Sequence, residues 1–155
     1  MTSKVYVALR VGASPERAFQ AFVAEIGAWW RPSPLFQTTP RAPGTLAFEP
    51  GEGGRLIETL ANGKVFEIGR ITAWEPPGRL QFSWRQASFP PGLHTEVEVR
   101  FEAVGAETRV SVEHRGFHEV PAQSAARHGF PDAVLLARLG DYWRAQLMAM
   151  RTALS

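Results

Sequence analysis

The chain has 155 residues, of which 45% are hydrophobic and 21% charged, a composition typical of one soluble domain with its own core. It contains no cysteine, which excludes disulfides, thiol nucleophiles and cysteine-ligated metals. The formal net charge is only +2 and the arginines are scattered among acids, which argues against a basic stripe that binds nucleic acid. No apolar run reaches the length of a membrane span, and the first residues lack the apolar segment of a signal peptide. We therefore expect a cytoplasmic protein with no membrane partner.

The first elements are predicted to be a strand and a helix. Residues 4–11 alternate between apolar and polar positions, which indicates a half-buried strand. Ser14-Pro15-Glu16 then has the pattern of a helix start, and the apolar face of that helix continues to Ile26, with a break expected near Gly27. Trp29 and Trp30 follow at the helix-to-loop junction. Adjacent tryptophans in such a place more often complete a core than bind a ligand.

The middle of the chain is predicted to be rich in strands. Short apolar segments separated by glycine and proline turns predict strands over 45–49, 54–59, 65–74 and 80–84. The alternation is clearest over 95–101 and 108–117. Val97, Val99 and Phe101 alternate with charged residues in the first segment, and Val110 and Val112 alternate with Arg109, Ser111 and Glu113 in the second. Period two with one polar face predicts an antiparallel sheet with one side on the core.

A long helix is predicted at the end of the chain. Asp132 is a suitable N-cap, and the segment to Ser155 contains no proline. Apolar residues recur at steps of three and four, the period of one helix face. They are Leu136, Leu139, Trp143, Leu147, Met150 and Leu154. Such a helix needs a sheet to cover its apolar face, so we expect an α+β domain in which a curved antiparallel sheet wraps around it.

Several segments, taken in order, resemble one known group of proteins. They are Ser14–Phe19, Trp29-Trp30, Gly69–Ile71, Glu75–Trp84, Thr95–Val97, Thr108–Val110, His114–Phe117 and Gly129-Phe130. Together they are similar to the SRPBCC (START/Bet v 1-like) superfamily, and within it to the Activator of Hsp90 ATPase homologue 1-like branch. This resemblance implies a helix-grip fold formed by a single domain over residues 1–155. It also implies a cavity between sheet and helix, often for apolar molecules, but no shared catalytic set.

The expected function is the binding of a small hydrophobic or aromatic molecule, without catalysis and without a cofactor. The candidate ligand contacts are the residues expected to face the space between sheet and helix. They are Trp30, Phe66, Phe82, Trp84, Val99, His114, Phe117, Leu135, Leu139 and Trp143. Periodicity does not count empty volume, so the sequence leaves open whether these side chains line a cavity or fill it.

Two other functions remain open at this stage. The first is an enzyme, such as a cyclase, dehydratase or hydrolase, in which His114 or an inward-facing Glu67 acts as acid or base. Against it, His114 is more often a neutral core residue in such a position, and Glu67 is more simply paired with an arginine on the outer face. The second, weaker function is an Hsp90-type interaction domain. The histidines lack metal-ligand spacing, so no metal site is predicted.

Overall fold

The computed structural model describes residues 3–39 and 44–155, and in these ranges seven strands form one sheet. The expected single domain of 1–155 also includes 1–2 and 40–43, which lie outside the described residues, and that boundary stays a prediction. The strands are β1 (Lys4–Val11), β2 (Thr45–Phe48), β3 (Arg55–Thr59), β4 (Val65–Glu75), β5 (Arg79–Trp84), β6 (Thr95–Val104) and β7 (Glu107–Arg115). The helices are α1 (Pro15–Ala24), α2 (Ile26–Trp29) and α3 (Asp132–Ala153).

The sheet is antiparallel at every pairing and follows the order β1-β7-β6-β5-β4-β3-β2. The predicted alternation on β6 and β7 is confirmed, because Val97 and Val99 are fully buried and lie opposite His114 and Val112. The inner face of the sheet packs on α3 and on the two shorter helices. The predicted helix-grip fold is therefore confirmed. Nowhere in 3–39 or 44–155 does a helix have the length and apolar character needed to cross a membrane.

The first helical segment is divided, which corrects the prediction of one helix running to Ile26. The Ser14 hydroxyl accepts the backbone N–H of Arg17 at 3.2 Å and caps α1 as expected. However, α1 ends at Ala24, and Gly27 lies inside the separate four-residue helix α2. A Cβ at Gly27 would stand 2.8 Å from the backbone oxygen of Leu46, so glycine at this position lets α2 pack directly on β2.

The last strand is shorter than predicted. It ends at Arg115, because Gly116 adopts the left-handed conformation with φ of 106° and turns the chain into a 3-10 turn at Phe117–Glu119. This turn brings the Phe117 ring to 5.1 Å from the His114 ring, centroid to centroid. A second 3-10 turn follows at Ala125–Arg127.

The C-terminal helix and most of its predicted buried face are confirmed, because Leu139, Trp143, Leu147 and Met150 are buried. At the two ends of that face, Leu136 and Leu154 are only half-buried. The buried positions of α3 are Leu135, Leu139, Tyr142, Trp143, Gln146, Leu147 and Met150. Asp132 is the first helical residue rather than the N-cap, a role taken by Pro131, and its carboxylate pairs with Arg127.

The sheet changes register where β4 passes between its two neighbours. The pairing of β3 with β4 shifts between Leu56 and Ile57, so that Leu56 lies opposite Gly69 and Ile57 opposite Glu67. On the other side, β5 approaches so closely that a Cβ at Gly69 would lie 1.7 Å from the Ser83 carbonyl oxygen. Bulges of this kind bend a strand and increase its twist, and here the bend helps the sheet to curl around α3.

We expect Gly69→Ala to lower the free energy of unfolding by about 1–3 kcal/mol, because the added methyl group would force the backbones of β4 and β5 apart. Urea denaturation followed by circular dichroism measures the change. Gly12→Ala is the matched control, because no atom lies within 4 Å of a Cβ built at Gly12. Equal unfolding midpoints for the two variants would contradict the role given to Gly69.

Candidate functional site

A chain of hydrogen bonds connects the C-terminal helix to the sheet inside the core. The Trp143 indole N–H donates to His114 Nδ1 at 3.0 Å, which assigns the imidazole proton to Nε2. His114 Nε2 lies 2.7 Å from the Thr95 hydroxyl and donates to it, and that hydroxyl donates to the Trp84 carbonyl oxygen at 3.2 Å. Both ring nitrogens of His114 are thus occupied by protein groups.

His114 is held in its neutral form. Burial, with a smaller contribution from the positive charge of Arg115, lowers the pKa of His114 to about 3. An imidazole with this pKa stays neutral near neutral pH and is a poor proton acceptor. The structure therefore favours the core histidine over the acid or base that the enzyme alternative requires.

Glu67 lies on the outer face of the sheet, in the position that the sequence favoured. It is opposite Ile57 on β3, and its carboxylate pairs with Arg70 at 3.2 Å with about a third of the side chain exposed. The second candidate base of the enzyme alternative is thus placed away from the inner face.

Aromatic rings fill the centre of the grip. Trp84 and Trp143 are fully buried with ring centroids 5.9 Å apart, and Trp30 lies 5.6 Å from Trp143 and 5.9 Å from Trp84. Each of these contacts has the edge-to-face or tilted geometry that aromatic pairs prefer. The rings pack against one another, so the space at this level is occupied by protein.

The structure brings most of the predicted contacts together in this packed interior. The fully buried ones are Phe82, Trp84, Val99, His114, Phe117, Leu135, Leu139 and Trp143. Trp30 is half-buried, and Phe66 is half-buried under the Arg85 guanidinium, which lies 4.4 Å from its ring centroid. Their contact with a ligand stays a prediction.

A small gap remains between sheet and helix at one side of the aromatic cluster, and we call it the grip cleft. Its volume is about 40 Å³. Its walls come from the loop after α2, from β2 and β3, and from α3. The lining residues are Trp30, Pro32, Ser33, Phe36, Gln37, Thr38, Gly44, Leu46, Glu58 and Tyr142. Trp30 is the predicted contact that lines the cleft.

Glu58 is the unexpected member of the grip cleft. It is only 2% exposed, and its carboxylate accepts hydrogen bonds from the Thr38 hydroxyl and from the Gly44 backbone N–H, the latter at 2.8 Å. The sequence analysis missed this residue, although Glu58 shares the parity of the buried Leu56 on β3. That shared parity could have identified Glu58 as an inward-facing residue from the sequence.

Tyr142 and Phe36 were also missed. Tyr142 is buried and its ring lies 5.2 Å from that of Phe36 and 5.8 Å from that of Trp30. Burial raises the pKa of the Tyr142 phenol above its ordinary value, a hydrogen bond with Gln146 opposes this, and the negative charge of Glu58 adds to it. The phenol therefore keeps its proton and can donate a hydrogen bond.

A larger groove lies on the outer surface and has a different character. Its volume is about 500 Å³, and its lining includes the charged residues Lys4, Glu96, Glu113 and Arg115. These charges pair with one another, for example Lys4 with Glu113 at 3.7 Å and Arg115 with Glu96 at 3.3 Å. We read it as a solvated outer face. Across 3–39 and 44–155, no group of three or more histidine, aspartate or glutamate side chains is placed to hold a metal ion.

The curled sheet, the long helix in its palm and the gap between them define a helix-grip domain. Residues 12–149 match the family model described as "Activator of Hsp90 ATPase homolog 1-like protein", so the chain belongs to this family, as the sequence resemblance predicted. No curated protein matches the chain.

Solved structures with the same fold come from several organisms. CalU16 from Micromonospora echinospora is 21% identical, with a TM-score of 0.65 over 99% of this chain and 77% of its own. PFC0360w, an HSP90 activator from Plasmodium falciparum, is 18% identical, with a TM-score of 0.69 over 97% of this chain and 95% of its own. The Aha1 dimer from Colwellia psychrerythraea is 20% identical, with a TM-score of 0.62 and coverages of 98% and 96%. At these identities the likeness shows the fold.

The neutral state of His114 predicts a specific dependence of stability on pH. An imidazole has a pKa near 6.5 in the unfolded chain and about 3 here, so the unfolded state binds more protons between these values. The contribution of neutral His114 to the free energy of unfolding is complete above pH 6.5 and is lost as the pH falls towards 3. Between pH 7 and pH 4.5, we expect the free energy of unfolding of the wild type to fall by about 3 kcal/mol more than that of His114→Gln, which has no titrating ring.

Urea denaturation at a series of pH values measures this difference. His94→Gln serves as the control, because the His94 side chain is exposed in a loop and its removal should leave the acid-dependent loss of the wild type in place. Parallel curves for wild type and His114→Gln would show that His114 does not carry the effect.

Proposed function

We propose that the protein binds a small hydrophobic or aromatic molecule between the curved sheet and α3, without turning it over, and that the molecule enters through the grip cleft. The observation that carries this proposal is the composition of the cleft. Three aromatic rings and one aliphatic side chain, from Trp30, Phe36, Tyr142 and Leu46, surround the gap, and the polar residues of its lining are Ser33, Gln37, Thr38 and Glu58. Sites for small molecules have this composition, with a few polar groups that fix orientation.

A larger ligand would reach the predicted contacts by displacing the Trp30 side chain. The cleft accommodates part of a molecule, since about 40 Å³ is little more than the share of one water in the liquid. Trp30 is half-buried and lies between the cleft and the rings of Trp84 and Trp143. A rotation of its side chain would expose these deeper rings to a ligand, and we propose them as its second layer of contacts.

Binding without turnover is favoured over catalysis by the state of the two candidate acid–base groups. His114 has both nitrogens engaged and a pKa of about 3, and Glu67 pairs with Arg70 on the outer surface. Neither group is within the lining of the grip cleft. A proton transfer at the cleft would need a different residue.

An interaction with an Hsp90-type chaperone is the alternative that the family description and the Plasmodium falciparum structure suggest. It differs from the first proposal in its test, since stimulation of a chaperone ATPase would not depend on an open grip cleft. Measurement of Hsp90 ATPase activity with the cleft-blocked variant described next separates the two functions.

We expect Leu46→Phe to reduce the binding of the neutral dye Nile red at least tenfold, because the larger ring would occupy the cleft between Trp30 and Tyr142. Fluorescence titration of folded protein measures the dissociation constant. Val65→Phe is the matched control, since it adds the same ring at an exposed position outside the cleft and should leave the affinity unchanged. Equal affinity in wild type and Leu46→Phe, with unfolding temperatures that show both to be folded, would overturn the proposed entry site.

A further inference from the structure

We propose that the grip cleft recognises a primary ammonium group, with the buried Glu58 carboxylate as its counter-charge and the rings of Trp30, Phe36 and Tyr142 around it. This inference rests on the proposed function and names its ligand class, an amine with an aromatic or alkyl body. It starts from the cost of placing a carboxylate where Glu58 lies. Removing a carboxylate from water is unfavourable unless a charge or hydrogen bonds compensate it.

The protein supplies Glu58 with hydrogen bonds. Its donors are the Thr38 hydroxyl and the Gly44 N–H, and both are neutral. In residues 3–39 and 44–155, no lysine, arginine or histidine nitrogen lies within ion-pair distance of Glu58. The Arg85 guanidinium covers the ring of Phe66, the residue opposite Glu58 on β4, but its Nε donates to the Glu67 carbonyl oxygen at 2.9 Å.

Glu98 is an example of a carboxylate that is neutralised by the chain's own arginines. Its side chain is 12% exposed, more than that of Glu58, yet three arginines surround it. Arg79, Arg100 and Arg115 lie 2.6, 2.8 and 3.1 Å from its oxygens. Glu58, in contrast, lies beside an accessible gap, and no basic side chain of the residues that the structure describes pairs with it.

The walls of the cleft suit a cation. The faces of aromatic rings attract ammonium and guanidinium groups, and the attraction grows when the cation is removed from water. The ring centroid of Tyr142 lies 5.8 Å from that of Trp30 and 5.2 Å from that of Phe36. A carboxylate and an aromatic enclosure at the same gap favour a cation over an anion or a neutral apolar group.

The size of the cleft selects among cations. About 40 Å³ admits a primary ammonium group, which is close to water in size, and would exclude a trimethylammonium group. The ammonium group can also donate hydrogen bonds to the carboxylate, which a quaternary nitrogen cannot. The exposed Pro32 and Gln37 lie at the rim, so the apolar body of the amine would lie against Trp30 and this rim.

The test compares two probes of similar shape, 2-phenylethylammonium chloride and neutral 2-phenylethanol, by isothermal titration calorimetry at pH 7.5. We expect the wild type to bind the ammonium probe about 10- to 100-fold more tightly, because hydrogen bonds between charged groups are stronger than neutral ones. Glu58→Gln should remove this preference and keep the affinity for 2-phenylethanol. Glu52→Gln, which changes an exposed glutamate in the turn between β2 and β3, should behave as the wild type.

Each outcome has a defined meaning. Binding of 2-phenylethanol with no preference for the ammonium probe would overturn this inference and leave the proposed function intact, whereas the failure of both probes and of Nile red would overturn both. A preference that survives in Glu58→Gln would also overturn it. Should Glu58→Gln fail to fold, Tyr142→Phe and the N,N,N-trimethyl form of the probe test the same enclosure, and the trimethyl form should bind at least tenfold more weakly to the wild type.

Discussion

The hydrogen bond from the Trp143 indole to His114 is the constraint on which the arrangement of sheet and helix depends. Both groups lie in an interior that excludes water, where an unpaired N–H or ring nitrogen would be costly. The bond can form only when α3 presents Trp143 directly to β7. This requirement sets the rotation of the helix about its axis, so Leu135 and Tyr142 face the sheet while Leu136 lies at the margin.

The same packing determines where a ligand can be accommodated. Because the rings of Trp84, His114 and Trp143 occupy the centre of the grip, open space is displaced towards the side where the loop after α2 meets β2 and β3. The solved structures show the fold that this chain shares with them, and the gap is lined by the chain's own side chains. A functional site in such a protein is therefore a property of the gap and its lining rather than of the sheet and helix that surround it.

Carboxylates have different partners on the two faces of the sheet. On the outer face, glutamates and arginines alternate along neighbouring strands and pair across them, as Glu98 does with Arg79 and Arg115. On the inner face, Glu58 stands among aromatic rings with neutral hydrogen-bond donors. A carboxylate of the first kind supports the surface, whereas one of the second kind is a point at which a bound group can lower the free energy of the whole protein.

The sequence by itself determined the order of strands and helices and the inner parity of Val97, Val99, Val110 and Val112, because alternation and helix period are local properties of neighbouring residues. The family followed from the resemblance of several short segments taken in order. The tertiary structure alone decided that Tyr142 and Gln146 join the buried face of α3, which groups occupy the two nitrogens of His114, and that the grip is filled around Trp84 and Trp143 but open beside Glu58. These features depend on contacts between side chains distant in sequence, such as Thr38 with Glu58 and Trp143 with His114. Periodicity shows the side of a strand on which a residue lies, but the volume left between two packed surfaces depends on the shapes of the side chains that meet there.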